Sequence, residues 1–97
     1  MMFPITRHQL AAAIGSYGFR PEDGEQVIRL LEGEGRVELT GSMLRVLNPT
    51  DPDAPILTGL CRAARGGSSG SVGSYKIREY IQAMLDRAPV HGASRRR

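Results

Sequence analysis

Residues Glu25 to Leu47 read EQVIRLLEGEGRVELTGSMLRVL, and this stretch decides what kind of fold the chain builds. Val27, Ile28, Leu30 and Leu31 fall within one broad side of a helix and leave Glu25, Gln26, Arg29 and Glu32 to water. Gly33 and Gly35 follow, either of which supplies the left-handed residue that ends a helix. Gly41-Ser42, taken as a two-residue turn with glycine first, pairs Thr40 with Met43, Leu39 with Leu44, Glu38 with Arg45 and Val37 with Val46. That register puts Val37, Leu39, Leu44 and Val46 on one buried face and an opposite-charge pair, Glu38 with Arg45, on the other. The unit is a helix, a glycine break and a tight β-hairpin over 36–47.

Upstream, Ile5-Thr6-Arg7-His8-Gln9-Leu10 carries a full helix start: Thr6 as N-cap, Gln9 as its capping-box partner, and Ile5 to staple onto Leu10. The spacing predicts a helix from Arg7 to Tyr17 with Leu10, Ala13, Ile14 and Tyr17 as its apolar stripe, its last turns weakened by Gly15 and Gly18. Phe19 to Gly24 reads as a loop, with Pro21 suited to a first helical turn or Asp23 to a cap over Gln26.

Downstream, Pro49, Pro52 and Pro55 block regular structure after the hairpin. A helix from Pro55 to Arg65 is expected next, capped by Asp53, striped by Leu57, Leu60, Cys61 and Ala64, and ended by Gly66. Residues 66–74 have Gly/Ser linker composition. Ser74 is then expected to cap an amphipathic helix over 75–88, whose Ile77, Tyr80, Ile81, Met84, Leu85 and Ala88 recur at helical spacing. Pro89 stops it, and 89–97, closing on Arg95-Arg96-Arg97, reads as a disordered basic tail.

Ninety-seven residues with twelve glycines and six prolines make one small domain, too small for a large enzyme pocket. No apolar run approaches the roughly 20 residues of a membrane span, and the start MMFPITRH lacks a secretion signal, so a cytoplasmic protein without membrane attachment is expected. The single cysteine, Cys61, lies on an apolar stripe away from His8 and His91 in sequence, which points to packing rather than to a catalytic thiol or a metal ligand. Glu22, Asp23 and Glu25 lack the ligand pattern of a calcium loop, and the glycines of 66–73 lack the Gly-Lys-Ser/Thr ending of a phosphate loop. No cofactor, metal or catalytic residue is therefore expected. Charge is uneven: residues 1–53 carry five arginines against eight acids, while 54–97 carry eight basic residues against Glu79 and Asp86. Such asymmetry points to nucleic acid or an acidic partner.

Leu10-Ala11-Ala12-Ala13-Ile14-Gly15, followed by Val27-Ile28-Arg29-Leu30-Leu31, Gly35 and the Arg36-to-Leu47 hairpin, resembles the winged helix-turn-helix regulators of bacteria and phage. In these a helix with such a Leu-Ala segment leads by a turn to a recognition helix and then a wing. The likeness covers residues 6–47 and implies an α+β fold: a winged-helix-like helix-helix-hairpin-helix core over 1–65, then the linker and the C-terminal helix. Three features depart from it. Gly15 to Val27 exceeds a tight turn; no helix precedes the first, so the three-helix core must borrow one from the C-terminal half; and the second helix offers Glu25 and Glu32 beside only Arg29.

Two functions follow as expectations. In the first, the chain is a non-enzymatic, transcription-regulator-like protein binding duplex DNA through Arg29, Arg36, Arg45, Arg62, Arg65, Arg95, Arg96 and Arg97. In the second, it is an adaptor or inhibitor that binds a protein partner through the acidic second helix and through Ile77, Tyr80, Ile81, Met84 and Leu85. That last apolar face has three possible uses: completing the core in cis, pairing with its copy in a homodimer, or filling another protein's groove.

Overall fold

The computed structural model describes residues 2–67 and 72–88. The proposed tail, with Arg95, Arg96 and Arg97, and the middle of the Gly/Ser stretch lie outside these. The elements are β1 (Met2–Phe3), α1 (Arg7–Gly15), α2 (Pro21–Gly33), β2 (Val37–Thr40), β3 (Met43–Val46), α3 (Ala54–Ala64) and α4 (Ser74–Arg87).

Thr6 starts α1 as its spacing predicts. Its Oγ1 accepts from the Gln9 amide at 3.1 Å, and the Gln9 Oε1 accepts from the Thr6 amide at 2.8 Å, closing the capping box. The helix stops before Tyr17, because Gly18 turns the chain at a φ of 95° and the Phe19 amide reaches back to the Gly15 carbonyl. Of the two starts open to α2, Pro21 in a first helical turn or Asp23 as a cap, the chain takes the first, and the loop ends at Arg20 rather than at Gly24. Pro21 occupies the first helical position and the Asp23 carboxylate accepts from the Arg20 amide at 3.1 Å, which leaves Gly24 inside the first turns. Gly24 is buried for a steric reason: a Cβ there would lie 2.6 Å from the Ala11 carbonyl oxygen and 3.0 Å from the Ala11 Cα. The two helices thus meet backbone to backbone.

Gly35, at a φ of 72°, releases the chain from α2 into β2, and the Arg36 amide closes the helix end on the Leu31 carbonyl. The hairpin has the register that its aliphatic residues demand: Val37 opposite Val46, Glu38 opposite Arg45, Leu39 opposite Leu44, Thr40 opposite Met43. Gly41 has a φ of 57° and no described non-glycine residue has a positive φ, so the turn is the glycine-first type II′. Val37, Leu44 and Val46 are buried and Leu39 half-buried. β1 has no local signal in the residues that form it. Met2 lies opposite Arg45 and Phe3 opposite Leu44, making an antiparallel sheet in the order β1-β3-β2 and adding Phe3, then Ile5, to the core.

The described residues thus form a small α+β domain with four helices and a three-stranded sheet. α1 packs on α2 and α3, and α4 packs on α2 and α3. Ile77, Tyr80, Ile81, Met84 and Leu85 all enter the same core as Leu10, Ile14, Ile28 and Leu31. Of the three uses open to the apolar face of α4, it takes the first and completes the core in cis, which corrects only the assignment of Ile77, Tyr80, Ile81, Met84 and Leu85 to a partner. Two caps also differ. Asp53 sits at the N-cap of α3 without a side-chain cap bond, its carboxylate lying instead 3.4 Å from Arg36. Ser74 lies inside α4, whose N-cap is Gly73.

The contact at Gly24 gives a direct test. Gly24→Ala should gain about 1 kcal/mol of helix propensity but lose about 1–3 kcal/mol to overpacking against the α1 backbone. We expect a net fall in Tm on thermal denaturation. Gly33→Ala, in the same helix but with nothing within 4 Å of the added carbon, should leave Tm unchanged or raise it.

Candidate functional site

The arginines divide into answered and unanswered charges. Arg36, at the junction of α2 and β2, is answered most fully. Its Nε lies 3.1 Å from Glu34 and 3.7 Å from Asp51, its Nη1 lies 3.4 Å from Asp53, and the same Nη1 donates to the Tyr80 hydroxyl at 3.0 Å. With a side chain only 23% exposed, this guanidinium is not available to phosphate, which corrects its assignment to DNA. It fastens the hairpin base and the loop before α3 onto α4. Arg87 extends the cluster, meeting Glu34 at 2.9 Å.

The other arginines before α3 are also matched. Arg7 donates from Nε to Glu25 at 3.2 Å and forks onto Glu32 at 2.9 and 3.0 Å, tying α1 to α2. Arg20 lies 3.8 Å from Asp23, Arg29 4.0 Å from Glu25, and Arg45 2.8 Å from Glu38 on the outer face of the sheet. Arg29 and Arg45 reach solvent, but each has a carboxylate beside it. The outer face of α2, where Glu22, Glu25, Gln26 and Arg29 line an open depression of about 390 Å³, is acidic on balance.

Arg62, Arg65, Lys76 and Arg78 are different. All four are exposed, and none forms an ion pair with a described residue. Arg62 and Arg65, at the end of α3, line an open cleft of about 400 Å³ with Gly66 and Gly67. Lys76 and Arg78 stand on the first turns of α4, beside Tyr75, whose residue is 70% exposed. The first turn of α4 carries no acid and its N-cap makes no side-chain bond. Cations at this positive end of a helix oppose the macrodipole at about 0.3–1 kcal/mol each. An external anion would relieve that cost.

Across from this turn lies the end of α1. Ser16, Tyr17 and Gly18 share an open cleft of about 550 Å³ with Ser74, Tyr75 and Arg78. Burial raises the Tyr17 hydroxyl above its ordinary value. Sequence reasoning missed Tyr75, Lys76 and Arg78; the signal was that no Asp or Glu stands between Ala54 and Arg78. Arg62 and Arg65 were named from sequence and form no ion pair with a described residue. Arg95, Arg96 and Arg97 lie outside the described residues.

Cys61 has the surroundings of a packing residue. It is buried, and desolvation pushes its thiol up to about 12, away from a reactive thiolate at neutral pH. Among the described residues no three His, Cys, Asp or Glu side chains gather as a metal site, and no helix is long and apolar enough to cross a membrane.

Two predictions follow from these groups. Replacing Arg36 by Leu leaves Glu34, Asp51 and Asp53 unbalanced and the Tyr80 hydroxyl without its donor, and should cost about 1–3 kcal/mol in urea unfolding. Cys61 sets an alkaline limit. Its folded-state value exceeds the ordinary 9.0, so between the two the unfolded chain sheds a proton that the folded chain keeps. Stability should fall by about 1.4 kcal/mol per pH unit above about pH 9. Tyr17 and Tyr80, also raised by burial, add to the loss above about pH 10. Urea midpoints against pH should show this onset in the wild type and a later one in Cys61→Ala.

Compared with protein-family models, with curated proteins and with solved structures, the chain matches none of them.

Proposed function

We propose that the chain is a small non-enzymatic regulator that binds nucleic acid by its phosphates, through Arg62, Arg65, Lys76 and Arg78, with Arg95, Arg96 and Arg97 adding contacts. One observation carries this reading: the arginines of the first half are paired with carboxylates, whereas these four cations are exposed and form no ion pair with a described residue. Such a surface favours a polyanion in a salt-dependent and largely sequence-independent way. The winged-helix likeness belongs to the same proposal, with α1 and α2 as the helix pair, β2 and β3 as the wing, and α4 as the borrowed third helix. The contact surface then differs from that of the regulators it resembles. α2 presents Glu22 and Glu25 outward, and the wing's Arg45 is held by Glu38, so the α3–α4 end takes the phosphates instead. The protein would act in the cytoplasm, and a homodimer would have to form through a surface other than the apolar face of α4, which is internal.

A second reading, a protein-binding adaptor or inhibitor, draws on the groove between α1 and α2. Ala11, Ala12 and Pro21 form its apolar lining and Arg7, His8 and Glu25 its charged lining. The two readings separate on the acids. Glu22→Gln with Glu25→Gln should strengthen nucleic-acid binding by removing repulsion, but should weaken a partner held by α2.

The test is oligonucleotide affinity as a function of salt, with single- and double-stranded forms. Binding should persist at about 0.15 M salt, with a log–log slope near −0.9 per phosphate for duplex and −0.7 for single strands. Arg62→Gln with Arg65→Gln should make the duplex slope shallower by about 1.8. Retention of neither form at that salt would transfer the proposal to the adaptor.

A further inference from the structure

We infer that the cleft between the end of α1 and the start of α4 receives an unstacked nucleobase, so that the domain prefers single-stranded nucleic acid to duplex. This rests on the phosphate-binding reading above and adds the part of the ligand that distinguishes one strand from two.

The argument starts from Tyr75. Among the large apolar residues exposed in this structure, Met2 at 56%, Leu47 at 41% and Tyr75 at 70%, it is the most open. Its hydroxyl forms no hydrogen bond with a described residue. An aromatic ring left in water loses the burial that its area would otherwise gain. Here it lies among cations, next to Lys76 in sequence and sharing a cleft with Arg78. Every base presents a π-face to such a ring, and a single strand can offer it at a smaller unstacking cost than a duplex, which keeps its bases paired and stacked inside.

The rest of the cleft suits the remainder of a nucleotide. Its lining of Ser16, Tyr17, Gly18, Ser74, Tyr75 and Arg78 contains no carboxylate. Gly18, in a positive-φ conformation, has no side chain to narrow the α1 side, and even an added carbon there would meet nothing within 4 Å. With the base on Tyr75, the adjoining phosphate meets Arg78, while the serine hydroxyls and the half-buried Tyr17 border the sugar and base edges. Stacking tolerates any base, so the preference is for strandedness and not for sequence.

The experiment compares a short oligothymidylate with a mixed-sequence duplex by fluorescence polarisation at matched salt, for the wild type, Tyr75→Ala, Tyr75→Phe and Arg78→Gln. The wild type should favour the single strand. Tyr75→Ala should weaken single-strand binding by about 5- to 150-fold and leave both duplex binding and the salt slope unmoved. Tyr75→Phe should bind as the wild type does. Arg78→Gln should make the single-strand slope shallower by about 0.7. Because Tyr75 is exposed, all these proteins should melt together, which separates binding from folding. Unchanged single-strand affinity in Tyr75→Ala, or an equal loss for both forms, would overturn the inference and leave the phosphate reading standing. Binding of neither form by the wild type would overturn both.

Discussion

The architecture depends on one close approach, that of Gly24 in α2 to the backbone of Ala11 in α1. Helices separated by ordinary side chains stand about 8–10 Å apart; a glycine against an alanine lets them come closer. At that range Arg7, the first residue of α1, reaches both Glu25 and Glu32, two turns apart on α2. The same closeness lets short residues such as Ala11 and Ala13 serve as packing surface. Volume-conserving changes elsewhere in the core have room to repack. Here the neighbour is backbone and cannot turn aside.

What could be read from the sequence was local. The capping box at Thr6 and Gln9 is a reciprocal pair three residues apart, and the hairpin register follows from period-two burial plus one turn, so both are written in neighbouring residues. Gly24 was misread because Pro-Glu-Asp-Gly has the composition of a turn; its place inside a helix is decided by Ala11, distant in sequence. β1 is two residues long and carries no periodicity of its own. Asp53 and Ser74 have the chemistry of caps, yet Asp53 is drawn to a guanidinium supplied by the hairpin, and Gly73 takes the extended conformation one residue ahead of Ser74. The candidate site was legible in the same partial way. Composition placed positive charge in the second half and named Arg62 and Arg65, but it could not show that Arg36 would be enclosed by three carboxylates and a phenol.

That enclosure explains why charge density is a poor guide here. Arg36 and Arg87 against Glu34, Asp51 and Asp53 form a network fixing three segments of chain, and its charges are used internally. On the surface, Arg45 with Glu38 and Arg7 with Glu25 and Glu32 are locally balanced, so the field they project into solvent is short-ranged. Arg62 and Arg65 of α3 and Lys76 and Arg78 of α4 have no such balance among the described residues, so their field reaches an approaching polyanion uncancelled by an ion-pair partner.

The core is completed by residues from both ends of the chain. Phe3 and Ile5 lie in it near the start, and Met84 and Leu85 near the end. When the chain is made from its N-terminus, α1, α2 and the hairpin emerge with apolar faces that cover one another only in part. The part of those faces that α4 covers can close only once α4 has left the ribosome, so it stays open to other apolar surfaces while the segments between the hairpin and α4 are still being made.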